Sequence, residues 1–241
     1  MATNSLENET IELNDLVVQV IRSARRKRLS IEVCHSGVIA RAPARMRHAT
    51  IRQFLDAKSN WIRNSLAHLP EQAAPLQLID DCPLLVLGET YRLVIIKGRK
   101  AVFINADEQI VVPISISHLA PEITLKTKLT KWYKKVALQH LELRVKNSMV
   151  SMLPGVSIPT IKVRDYKRRW GSCDHKGELS FNWRIVMAPP AIMDYVVIHE
   201  IAHLKEFNHS KRFWKIVEQQ MPDWKIHQTW LSENGSHLYR F

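Results

Sequence analysis

The string HEIAHLKEFNHSKRFW, residues 199–214, constrains this chain more than any other stretch. On an α-helix a four-residue step turns about 400°, so His199 and His203 project from one face a single turn apart and can reach one point. Glu200 lies about 100° further round, off the line of the two imidazoles but within reach of a water held beside them. His209 follows His203 by six residues, and Phe207, Asn208, His209 and Ser210 read as a helix break that folds the chain back. The string therefore predicts a helix, a reversal and a second helix starting at Ser210, with three imidazoles converging. Three neutral imidazoles and one open position are the donor set of a catalytic zinc site. A carboxylate beside it has the chemistry of a general base. The flanking residues suit the helix, because Ile192, Tyr195, Val196, Val197, Ile198, Ile201 and Leu204 are apolar.

A second chemical feature precedes the string. Arg164, Lys167, Arg168 and Arg169 lead into Trp170, Gly171 and Ser172. A guanidinium there could stabilise a developing oxyanion or hold a phosphate bidentately; the alternative is a basic surface loop anchored by Trp170. Residues 179–185 alternate Leu179, Phe181, Trp183 and Ile185 with Ser180, Asn182 and Arg184, which predicts an edge strand with one apolar face. Such an edge could accept an extended peptide by backbone hydrogen bonds, and a strand buried between two others is the competing reading. Cys34, Cys82 and Cys173 are widely spaced and form no CxxC pair, so reduced thiols are expected. His175 and His227 read as surface or capping histidines.

Punctuation and periodicity divide the rest. Residues 1–15 read as a polar, acidic tail without the basic start and apolar run of a signal peptide. Strands are expected at 16–22 and 29–42, the latter turning at Ser36 and Gly37. A helix capped by Thr50 should run to Leu69 and bury Ile51, Phe54, Leu55, Trp61, Ile62 and Leu66, before a loop marked by Pro70 and Pro75. Short strands at 84–86, 91–96, 101–104 and 109–112 complete a β-rich part over residues 16–115. From Pro121 a helical pattern runs to about Leu153, followed by strands at 161–165 and 179–185 and by Pro189 and Pro190 opening the metal-ligand helix. Phe213, Trp214, Val217 and Met221 should pack behind that helix as core. The expected fold class is α+β, with a domain boundary near residue 115.

Charge is unevenly placed. Residues 1–115 carry 15 Lys and Arg against 12 Asp and Glu, whereas residues 116–241 carry 20 against 11. The basic half attracts polyanions such as nucleotides or nucleic acid, although lysines at 126, 128, 131, 134 and 135 also suit a solvated helix face. With 46% hydrophobic residues the chain can bury one large core or two modest ones. No run of 18 apolar residues occurs, so a cytoplasmic location without membrane contact is expected.

The block from Arg169 to Trp214, with RRWGSC, LSFNWRIVMAPP and DYVVIHEIAHLKEFNHSKRFW, resembles the YgjP-like metallopeptidase family, which is related to SprT-like and WLM-like small zincins. RSARRKRLSIEV, WIRNSL and LGETYRLVI resemble that family's leading region. The resemblance implies a zincin-like metallopeptidase domain over residues 116–241, with a small sheet and a HExxH helix. It makes His199, His203 and His209 the ligands of one zinc ion per chain and Glu200 the general base. It also favours substrate-binding roles for Arg169 and Asn182. The histidine spacing equals that of metzincins, but Glu206 stands where they carry a turn glycine, which argues against that clan. The implied activity is peptide-bond hydrolysis, with a peptide or protein as substrate. Two alternatives remain: a metal-dependent nucleoside triphosphate pyrophosphohydrolase, acting for example on UTP, and a nucleic-acid-associated adaptor with a structural metal.

Overall fold

The computed structural model describes residues 9–13, 15–34, 37–67, 74–115 and 121–241. The chain is α+β with a β-rich N-terminal part, and it divides into two compact units, Met1–Gln72 and Ala73–Phe241. Among the described residues no helix is long and apolar enough to cross a membrane. The tail expected through residue 15 ends sooner, because Glu9–Leu13 forms the first strand, β1, and buries Ile11 and Leu13. Residues 1–8, Ser36, Leu69 and Pro70 lie outside the described residues.

In the first unit, β1 pairs antiparallel with β2 (Leu16–Ser23), and β3 (Ser30–Cys34) pairs antiparallel with β4 (Gly37–Pro43). β2 and β4 run parallel, which gives the order β1-β2-β4-β3. Alternate residues Val18, Val20, Val38, Ala40 and Ala42 are buried with Ile51, Leu55 and Ile62 from two helices, α1 (His48–Ala57) and α2 (Ser59–Ala67). The sequence pattern predicts one helix capped by Thr50. Instead α1 starts at His48 after Arg47, and the chain breaks at Lys58. The break shifts the helical phase, so Trp61, expected inside, is 51% exposed.

The second unit repeats that sheet topology. β5 (Pro83–Val86) pairs antiparallel with β6 (Glu89–Lys97), β7 (Phe103–Ile104) pairs antiparallel with β8 (Gln109–Ile114), and β6 is parallel to β8. The two compact units divide between Gln72 and Ala73, whereas the sequence reading places a domain boundary near residue 115. The apolar side chains of Leu84, Leu93, Ile110 and Val112 join one core with Leu125, Leu129 and Tyr133 of the long helix α3 (Pro121–Met152). Tyr133 Oη also donates to the Leu85 carbonyl at 3.0 Å.

Buried residues along α3 recur every four positions, at Leu125, Leu129, Tyr133, Ala137, Leu141, Val145 and Met149. Each such step overshoots a full turn by about 40°, so the stripe winds around the helix. The winding lets α3 pack on β8, on the next small sheet and on the helix after it.

That small sheet has the order β10-β11-β9, from β9 (Ile161–Arg164), β10 (Gly171–Cys173) and β11 (Leu179–Asn182). β11 is therefore the central strand, parallel to β9 and antiparallel to β10, which corrects the edge-strand expectation. Ser180 and Asn182 are buried with their apolar neighbours, so the alternation does not mark a solvent face. The strand ends at Asn182, whose Oδ1 accepts from Arg184 N and opens a 3₁₀ turn at Trp183–Met187. Pro189 and Pro190 then start α4 (Pro190–Ala202), with Pro at the first helical position, where no amide hydrogen is missed. Arg144 of α3 pairs with Asp194 of α4 at 2.9 Å. α5 (Lys211–Gln220) follows, and α6 (Trp224–Asn234), which the sequence pattern does not predict, closes the unit.

Candidate metal centre and active site

α4 carries Tyr195, His199 and Glu200 and ends at His203. It is apolar on nearly all sides because α3, α5, α6 and β10 all pack against it. Past His203, amides of residues 204–206 bond back to Ile201 and Ala202, and Lys205 Nζ donates to the Met152 carbonyl at the end of α3 at 2.6 Å. This reversal brings His209 back over the helix end. Ser210 then caps α5 by accepting from Phe213 N at 3.3 Å, as the sequence predicts.

His199, His203 and His209 each offer one ring nitrogen, all within 4.8 Å of one another. The Nε2 atoms of His199 and His209 lie 3.0 Å apart. Ligand nitrogens of a tetrahedral zinc site stand about 3.3 Å apart, so the donor set fits such an ion. His203 Nδ1 lies 3.1 Å from the Glu206 carbonyl, which selects the tautomer with Nε2 free for a metal. Phe213 touches all three imidazoles, with ring centroids at 4.9, 4.5 and 4.8 Å from His199, His203 and His209. Trp214 stacks on His209 and on Trp224. Phe213 and Trp214, expected to form ordinary core, thus also brace the imidazole rings.

Burial pushes the His199 imidazolium down to about 3, helped by the nearby His203 and His209, and burial lowers His203 as well. The His199 and His203 rings are therefore held neutral, the form that binds metal. Glu200 is 5% exposed. Burial pushes its carboxyl up to about 8, against the opposing pull of Arg169. A carboxyl with raised proton affinity next to a cluster of three imidazoles is suited to accept and return a proton near neutral pH.

A cavity of about 380 Å³ adjoins the histidines, lined by Arg169, Trp170, Tyr195, His199, Glu200 and Leu231 among others. Arg169 thus stands at the site, stacked over Tyr166 at 5.1 Å. Asn182 does not stand there, which corrects its expected role in substrate binding. It is fully buried, and its Nδ2 reaches the carbonyls of Tyr166 and Arg169 at 2.9 and 3.2 Å and Tyr239 Oη at 2.7 Å. Asn182 therefore shapes the loop that carries Arg169. Cys173 is held protonated, its thiol pushed up to about 11 by burial and by Glu200 and Asp174. His175 lies against Phe207, and His227 pairs with Asp223 at 3.3 Å, so neither joins the cluster.

The sequence reading gives no site role to Tyr195, Gly171, Gln228 or Leu231, all of which line the cavity. Tyr195 alone left a signal, since it precedes His199 by one helical turn on the same face.

Comparison with known proteins gives one family. Residues 27–234 match the model described as YgjP-like, metallopeptidase domain. Similar solved structures include two metallopeptidase zymogens. One is abylysin of Pyrococcus abyssi, at 24% identity over 37% of this chain and 89% of that one, with a TM-score of 0.35. The other is jannalysin of Methanocaldococcus jannaschii, at 19% identity over 37% and 85%, with a TM-score of 0.34. No curated protein matches the chain.

Proposed function

This chain belongs to the YgjP-like metallopeptidase family, and from that premise we propose that it is a zinc-dependent peptidase, with one zinc ion on His199, His203 and His209 and with Glu200 as general base. The observation that carries this reading is the convergence of three imidazole nitrogens beside a cavity that His199 and Glu200 both line. A divalent ion bound there supplies a Lewis acid for the scissile carbonyl and brings the pKa of water to about 7.

The chain's own groups do the rest. A Glu200 carboxylate oxygen takes the proton from the attacking water and returns it to the leaving amine nitrogen. Burial raises its proton affinity, so it can hold the proton between the two steps. Phe213 and the Glu206 carbonyl hold the rings in their ligating orientation. Arg169 offers positive charge to the developing oxyanion. The peptide would lie along β10, which pairs with β11 on one side and with no further strand among the described residues on the other. The three cysteines form no disulfide, which suits a reducing, cytoplasmic compartment.

The pyrophosphohydrolase reading is not favoured, because among the described residues Arg169 is the one Lys or Arg lining the cavity and the buried Glu200 carboxyl lines it too. The structural-metal reading leaves the general base beside the cluster without a purpose. The test compares zinc-loaded wild type and Glu200→Gln on a proteome-derived peptide library and a nucleotide panel. Peptide cleavage by wild type that a hydroxamate blocks and the variant lacks supports the proposal. Pyrophosphate release without peptide cleavage overturns it.

A further inference from the structure

A second cavity in the second unit, about 580 Å³, lies between α3 and the segment joining β6 to β7, and it shares no residue with the cavity beside the histidines. Five cations line it: Arg99 and Lys100 on one wall, and Lys128, Lys131 and Lys135 on the other. No Asp or Glu lines it. Lys128 is committed to structure, since its Nζ donates to the Pro113 carbonyl and, at 3.4 Å, to that of Lys100, tying the two walls together. None of Arg99, Lys100, Lys131 and Lys135 has an acidic partner among the described residues. Four unneutralised cations around one concavity repel one another, and an anion relieves that repulsion.

The layout says which anion. Positions 128, 131 and 135 follow one face of α3 over two turns, a rise of about 10 Å. The charge is therefore spread along the cleft, as a chain of repeated phosphates requires, and is not gathered at one point as for a single phosphate. Trp132 lines the same cleft, half-buried and edge-on to Tyr133 at 5.0 Å. Val102 and Val136 add apolar surface, and Phe103, next in the chain, is 44% exposed. Cations that follow a backbone, with an aromatic ring on which an unpaired base can stack, form the arrangement that binds single strands without sequence preference. Base-paired nucleic acid keeps its bases stacked and offers no ring face to Trp132.

We propose that the cleft between α3 and the β6–β7 segment binds single-stranded nucleic acid, with Arg99, Lys100, Lys131 and Lys135 on the phosphates and Trp132 against a base. The site is independent of the peptidase assignment, because neither its residues nor its test involves the histidines.

The test is fluorescence anisotropy of a labelled oligo-dT of roughly twenty nucleotides with the full chain. Binding should weaken with salt, with a slope of log Kobs against log salt of about −2 to −3, as about three to four phosphate contacts on a single strand require. Lys131→Glu/Lys135→Glu should weaken binding at least about tenfold. Lys176→Glu/Lys215→Glu changes the charge equally at exposed positions outside the cleft and should weaken it less than about threefold. Trp132→Leu should reduce affinity with little change in salt slope, since it removes stacking and no cation; melting curves establish that each variant is folded. Equal weakening by the two charge pairs would show a diffuse field and overturn the assignment. So would no binding at about 50 mM salt, displacement of the strand by an equimolar nucleoside triphosphate, or stronger binding to anionic vesicles than to the oligonucleotide.

Discussion

Gly171 and Glu200 stand so close that a β-carbon on the glycine would lie 2.5 Å from Glu200 Oε1 and 2.6 Å from its Cγ. The open edge strand of the small sheet is thereby pressed against the candidate general base, with no room for a side chain between them.

Gly171→Ala should therefore displace either β10 or the Glu200 side chain. We expect a stability loss of about 1–3 kcal/mol, the usual penalty of overpacking, and a fall in kcat with zinc content near that of wild type. Calorimetry, metal analysis and peptide kinetics on the same preparation check this. An alanine variant with unchanged kcat would show that Glu200 is not held by this contact.

Alanine at His199, His203 or His209 should each lower zinc content below one per chain, whereas His227→Ala should leave it unchanged, because His227 pairs with Asp223 away from the cluster. Chelation of wild type should lower Tm, since an ion that binds only the folded state stabilises it. Equal zinc content across all four variants would remove the ligand assignment.

Glu200→Gln keeps the shape of the side chain and removes the base. Zinc content should stay near wild type while kcat falls by roughly 10²-fold or more. Single-turnover kinetics distinguish this from a defect in product release.

Asn182→Ala would leave the Tyr166 and Arg169 carbonyls and the Arg184 amide without their buried partner. A loss of about 2–4 kcal/mol is expected, from unpaired buried polar groups. Urea denaturation measures it, and a variant as stable as wild type would contradict the structural role of Asn182.

Asp165 is ion-paired with Arg184. Burial raises the Asp165 carboxyl, but the hydrogen bond and charge of Arg184 outweigh it and hold the group below the ordinary carboxylate range. A lowered folded-state pKa contributes stability that is present above the unfolded value and lost as pH falls through the folded one. Asp165→Asn should therefore lower Tm at pH 7 by about 1–3 °C, a small effect because the pair is partly exposed. The difference should shrink below about pH 4. A difference that grows on acidification would reverse the assigned sign.

What the sequence by itself determined is local. The His199–His203 spacing, the Ser210 cap and the long helical pattern of α3 follow from helical period and capping chemistry, which act within a few residues. The three metal-ligand candidates were legible for the same reason, since one helical turn and one reversal bring them together. Only the tertiary structure decided which strand of the small sheet is the edge, because alternation along 179–185 is the same for a central strand covered on both sides as for an edge with one wet face. It likewise decided that the β5–β8 sheet shares a core with α3, that Gly171 touches Glu200, and that Arg99 and Lys100 face Lys131 and Lys135 across a cleft. These are pairings between residues distant in sequence. Their energies arise from packing and charge across elements, and no periodicity within a single element records them.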